Sequence, residues 1–137
     1  MNALSIAYVS AGIILLGLDA IWLRFAAGLL YRPFLGEMLL ERFRLVPAIL
    51  FYVIYVGGIV KFAILPTLAS GRWTTAMFNG AVLGLVAYGT YDLTNQATLK
   101  IWSPVVTIAD LCWGTILTAA VAALATLMTR AMVPLHG

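Results

Sequence analysis

Residues 4–23, LSIAYVSAGIILLGLDAIWL, form an apolar run broken by a single carboxylate, Asp19. About 20 such residues wound into a helix span the roughly 30 Å hydrocarbon core of a bilayer. Hydrocarbon offers backbone N–H and C=O groups no partner, so a chain with several such runs crosses it as helices. Three more runs follow, over 47–65, 73–93 and 105–129. The expected fold is all-α: a polytopic membrane protein, a bundle of four transmembrane helices in a single domain over residues 1–137. Only 9% of the residues are charged and 64% are hydrophobic, against about 25% charged in soluble domains. At this length, four such helices and no additional water-soluble domain are expected.

The first run lacks a basic leading segment and is expected to stay as an uncleaved helix. Ser5, Tyr8, Gly12, Asp19 and Ala26 line one stripe of it, expected to face other helices. Residues 24–46 hold Arg24, Arg32, Glu37, Glu41, Arg42 and Arg44 around Pro33 and read as a connection. Within it, 34–43 is either an ordinary loop or a short interfacial helix, because Glu37, Glu41 and Arg44 would share one face and Phe34, Leu35, Met38 and Leu39 the other. Pro47 suits a first helical turn, and Pro66 is expected to end that helix. Lys61, which shares a face with Gly57 and Gly58, would snorkel to the interface.

After TLASGR, Trp73 opens the third helix. On it Gly80, Gly84, Tyr88, Tyr91 and Asn95 fall in one sector, with Asp92 at its edge. The two glycines offer a patch for close contact, within the monomer or between two copies. Residues 94–103 read either as a loop or as an extension of this helix. The lone cysteine, Cys112, is expected to be a small buried residue. His136, in the tail RAMVPLHG, is expected to be solvated and without a role.

Lys and Arg favour the first and third connections (Arg24, Arg32, Arg42, Arg44, Lys100) over the other side (Arg72, Arg130 and Lys61). Positive charge faces the cytoplasm, so both termini are expected outside, in a bacterial inner membrane. The basic residues are scattered, which excludes a nucleic-acid partner; the expected partners are membrane lipids, a second copy or a larger membrane complex.

Alternating helix directions bring three acids to one depth. Asp19 is late in the first helix, Asp92 ends the third, and Asp110 is about two turns into the fourth. Tyr52, Tyr55, Tyr88 and Tyr91 converge on the same layer, in the cytoplasmic leaflet. A carboxylate at a helix centre costs about 2.5–3.5 kcal/mol, so a proton, Tyr hydroxyls, Arg24, Lys100 or water must offset three of them. The expected result is an acidic, Tyr-lined pocket formed by Asp19, Tyr88, Tyr91, Asp92, Asn95, Lys100, Asp110 and Trp113. It would bind or transport a small cationic, protic or lipidic ligand. Two other uses stay open: a lipid-modifying enzyme, with a carboxylate as general base and Asn95, Gln96 or Lys100 holding an anionic group, and an accessory subunit docking through its polar face. A structural role, fixing helix register, would use the same residues.

No Asp, Glu or His pair stands at metal-ligand spacing in any span, and no phosphate loop, catalytic serine elbow or haem motif occurs. The sequence names no cofactor. Asp19-Ala-Ile-Trp22 and Asp110-Leu-Cys-Trp113 both read D-x-x-W, on helices expected to run in opposite directions. Together with GLDAIWL, FYVIYVGGIVKFAILP and ADLCWGTILTA, the string YDLTNQATLKIW resembles an uncharacterised bacterial family of four-helix membrane proteins, a domain-of-unknown-function family. That resemblance covers nearly the whole chain and implies signature positions at Asp19, Tyr91, Asp92, Thr94, Asn95, Thr98, Lys100, Trp102, Asp110, Trp113 and Gly114. It also implies gene neighbours concerned with fatty-acid methylation, and it brings no activity with it.

Overall fold

The structure, a computed structural model, describes residues 1–39, 42 and 44–133. Glu41, Phe43 and His136 lie outside the described residues. Four helices account for most of the chain: α1 (Ala3–Met38), α2 (Leu45–Leu68), α3 (Trp73–Thr98) and α4 (Pro104–Met132). Three of them, α1, α2 and α4, are long and apolar enough to cross a membrane. Helix α3, which carries the polar run TYDLTNQAT, is long but less apolar.

Helix α1 starts at Asn2, whose side chain accepts from the Ser5 N–H at 2.9 Å and so satisfies one free helical donor. The expected connection from residue 24 onward is instead helical. Leu23 and Arg24 continue the helix into a five-residue π turn, Ala27–Tyr31, then a short α turn, Arg32–Leu35. Gly36, at φ 47, breaks that path before a 3₁₀ turn at Gly36–Met38, so the described part of 34–43 is not one continuous helix. Pro66 does not end α2 either. A proline in a helix clashes with the carbonyl four residues back, here Phe62. The chain widens into a π turn at Val60–Ile64, which admits the ring, and the helix runs on to Leu68. Helix α3 extends to Thr98, which settles 94–98 as helix.

Connections of a few residues, 69–72 and 99–103, join consecutive helices and force them to alternate in direction. In the first, Gly71 takes φ 72 and its carbonyl accepts from Arg130 at 3.0 Å, tying the end of α4 to the α2–α3 turn.

Helices α3 and α4 pack along most of their length. Ala76, Gly80, Gly84 and Asp92, spaced in fours, are buried on α3, with Tyr88 half-buried between them. Residues four apart form a ridge. A Cβ on Gly80 would stand 2.8 Å from the Ala122 Cβ, and one on Gly84 2.8 Å from Thr118 Oγ1. The small-residue patch therefore serves a contact within the monomer. The core adds Ala7, Ala11 and Leu15 of α1, Val56 and Ile59 of α2, and Leu117 and Val121 of α4.

Ile13, Ile54, Phe62, Phe78, Ile108 and Ile116 are each exposed on the outside of this core. An apolar exterior this extensive suits lipid and not water. Cys112 lies on that exposed face, not in the core as its residue type suggested. Thr90, Thr115, Thr126 and Thr129 donate to carbonyls one turn back on their own helices at 2.6–2.7 Å, so these four hydroxyls are satisfied within the helix.

Candidate binding site

The two D-x-x-W motifs meet. Trp22 and Trp113 stack at 4.7 Å between ring centroids and 7° between planes, holding α1 against α4. Each tryptophan then reaches toward the acid of the other motif. Trp113 Nε1 donates to Asp19 Oδ1 at 3.4 Å. Trp22 Nε1 donates to the Tyr31 hydroxyl at 3.0 Å, and Tyr31 in turn donates to Asp110 Oδ1. The other oxygen of Asp19 accepts from the Tyr52 hydroxyl of α2. Each of these two acids therefore has a tyrosine donor, and the pattern on Asp19 is echoed in reverse on Asp110.

Tyr31 is the residue the sequence concealed. On a straight α-helix, at about 100° per residue, it would point roughly 120° away from Asp19. The π turn at Ala27–Tyr31 takes in one extra residue, which sets back everything after it by about 100°. That slip returns Tyr31 to the Asp19 face. Arg24 and Lys100, candidates for offsetting the acids, are exposed. Among the described residues, the hydrogen bonds to Asp19 and Asp110 come from Tyr and Trp.

Asp92 differs from its two companions. It is 0% exposed, and neither carboxyl oxygen receives a hydrogen bond from the described residues. It stands at the centre of the buried ridge of α3, not at the edge expected, one turn beyond Tyr88, while Asp110 stands one turn before the Gly114 that Tyr88 covers, so the antiparallel register sets the two acids opposite each other. Asp19 and Asp110 are linked through the Trp22–Trp113 stack and Tyr31.

A half-open cleft of about 310 Å³ adjoins them, lined by Phe51 of α2, Ala87, Tyr88 and Tyr91 of α3, and Asp110 of α4. Tyr88 lies against Gly114, where a Cβ would come within 2.9 Å of the tyrosine's own Cβ, so glycine there lets the ring lie flat on α4. Tyr55 meets Tyr88 edge-on at 6.4 Å between centroids and hydrogen-bonds Thr118 at 2.6 Å. Tyr91 is exposed and packs edge-on against Trp102 at 5.9 Å. Of the expected site residues, Tyr88, Tyr91 and Asp110 line the cleft. Asp19, Asp92 and Trp113 support it from within, Asn95 is half-buried nearby, and Lys100 is exposed in the α3–α4 connection.

Helices with a lipid-suited exterior and a layer of hydrogen-bonded acids inside define an integral membrane protein of the helical class. The chain belongs to the family described as predicted membrane protein, DUF2177, whose model matches residues 4–127. No curated protein matches the chain, and no solved structure does.

Proposed function

We propose that the protein binds a small amphiphile with a cationic head in the cleft between α2, α3 and α4, from a bacterial inner membrane that all four helices cross. The observation that supports this most is the place of Asp110. It is buried at 5% exposure, fixed by Tyr31 through one oxygen, and it forms the acidic wall of a cleft whose other walls are Phe51, Tyr88 and Tyr91. Aromatic faces attract cations, and a carboxylate among them supplies the charge. Volumes near 300 Å³ are at the small end of ligand sites, which fits a head group with its tail left in lipid. The lipid-modifying alternative needed Asn95, Gln96 or Lys100 to hold an anion; Gln96 and Lys100 are exposed, Asn95 is half-buried, and none of the three lines the cleft.

Dodecyltrimethylammonium and its neutral counterpart dodecanol, titrated against the protein in nanodiscs and followed by aromatic fluorescence, test the proposal. The wild type should favour the cation by about tenfold or more, a free energy of about 1.4 kcal/mol. Asp110→Asn should abolish that preference. A preference unchanged by Asp110→Asn would overturn the assignment.

A further inference from the structure

The carboxyl of Asp92 has no role in the hydrogen-bond scheme of the other two acids, yet it is the most deeply buried of the three, at 0% exposure against 5% for Asp110 and 9% for Asp19. Its two oxygens have no donor among the described residues. What the α3–α4 register sets against it is another carboxyl, Asp110, which already accepts from Tyr31. Two ionised carboxylates in contact are two acceptors and no donor, a desolvated like-charge contact that neither partner can relieve. A single proton changes the chemistry of the contact. Carried on Asp92, it donates to Asp110, satisfies one orphaned oxygen, and leaves one negative charge on the pair.

Among the described residues, the groups around that charge give it no other counterpart. From α1 come Tyr31, bonded to Asp110, and Asp19, which holds Tyr52 of α2, and from α3 itself Tyr88 and Tyr91, which line the cleft with Asp110. All are acids or neutral hydroxyls. We propose that Asp92 and Asp110 form a proton-binding site in which one proton is shared between the two carboxyl groups, and that a cation entering the cleft at Asp110 displaces that proton to water. The exchange half of this rests on the cation-binding reading above; the shared proton does not. Asp110 links the two halves, because the same side chain faces Asp92 across the α3–α4 contact and lines the cleft on its other side. The protein would thereby carry out proton-for-cation exchange at one carboxylate, which is the minimal requirement of an antiporter.

Infrared difference spectroscopy on the protein in nanodiscs reads the proton directly, through the C=O band of a protonated carboxyl. The band should be present in the ligand-free wild type, absent from Asp92→Asn and from Asp110→Asn, and retained in Asp19→Asn, whose carboxylate has two donors of its own. Adding dodecyltrimethylammonium should remove the band and release about one proton per cation, and the affinity for the cation should fall about tenfold per pH unit below the point where the site fills with protons. In Asp92→Asn, whose amide supplies the donor permanently, the cation should still bind but without releasing a proton. Absence of a protonated-carboxyl band that responds to Asp92→Asn would overturn the shared proton. A band that behaves as described while the cation binds without proton release would overturn the exchange. The same band with no cation binding at all would overturn the binding assignment and the exchange together, leaving the proton site supported.

Discussion

At the scale of single residues, the site depends on tyrosine hydroxyls more than on any charge pair. Tyr31 accepts from Trp22 and donates to Asp110, so replacing it strands a buried carboxylate and an indole N–H together. Leaving a buried polar group without its partner costs about 1–3 kcal/mol. Tyr31→Phe should therefore destabilise the protein by at least that much, measured by thermal or steric-trap unfolding. Trp113→Phe, which removes only a long 3.4 Å hydrogen bond and keeps an aromatic ring in the stack, should cost less. Equal costs would show that the Tyr31 relay carries no weight. The D-x-x-W echo in the sequence did point to a real pairing of α1 with α4, because both motifs place a tryptophan one turn beyond an acid. Tyr31 was not legible, since its orientation depends on a π turn that no residue pattern between Ala27 and Tyr31 announces.

Among the helices, the contact between α3 and α4 is the closest, and glycine makes it possible. With lipid as the solvent, helices gain little by burying apolar surface and associate through close packing. A Cβ at position 84 would press on the Gly114 backbone and come within 2.8 Å of Thr118 Oγ1, so α3 would have to move outward. Overpacking of this kind costs about 1–3 kcal/mol. Gly84→Ala should lower stability by that amount and, because Tyr88 lies one turn further along the same ridge, weaken cation binding as well. Gly57→Ala is the control: a Cβ there meets nothing within 4 Å, and it should change neither. The four-residue spacing of these glycines was visible in the sequence. The wide turns that carry α1 past Ala26 and α2 past Pro66 were not, because proline and charged residues ordinarily mark helix ends and only the surrounding packing decides otherwise.

For the whole molecule, alternation of helix direction leads to the expectation that the acids gather toward one end of the bundle, and in the structure Asp19 and Asp110 are linked through Trp22, Trp113 and Tyr31. The partnering of each acid did not follow, since it depends on side chains from all four helices at once. If α3 crosses the membrane as α1, α2 and α4 are built to do, residues 69–72 and 99–103 lie on opposite sides and the two termini on the same side. Cysteines placed at Ser70 and at Lys100 in a Cys112→Ser background should label from opposite faces of intact vesicles. Labelling of both from one face would place α3 along the membrane surface and remove the cleft's outer wall.

The central claim is that the end of α1 folds back on α4 to hold the carboxylate of the cleft, a contact between Tyr31 and Asp110, which lie 79 residues apart. A double-mutant cycle measures it most directly, with Tyr31→Phe and the similarly sized Asp110→Leu combined and the unfolding free energy of all four proteins determined in the same bilayer. Direct contact predicts a coupling of about 0.5–3 kcal/mol. Costs that simply add, with no coupling beyond experimental error, would contradict it.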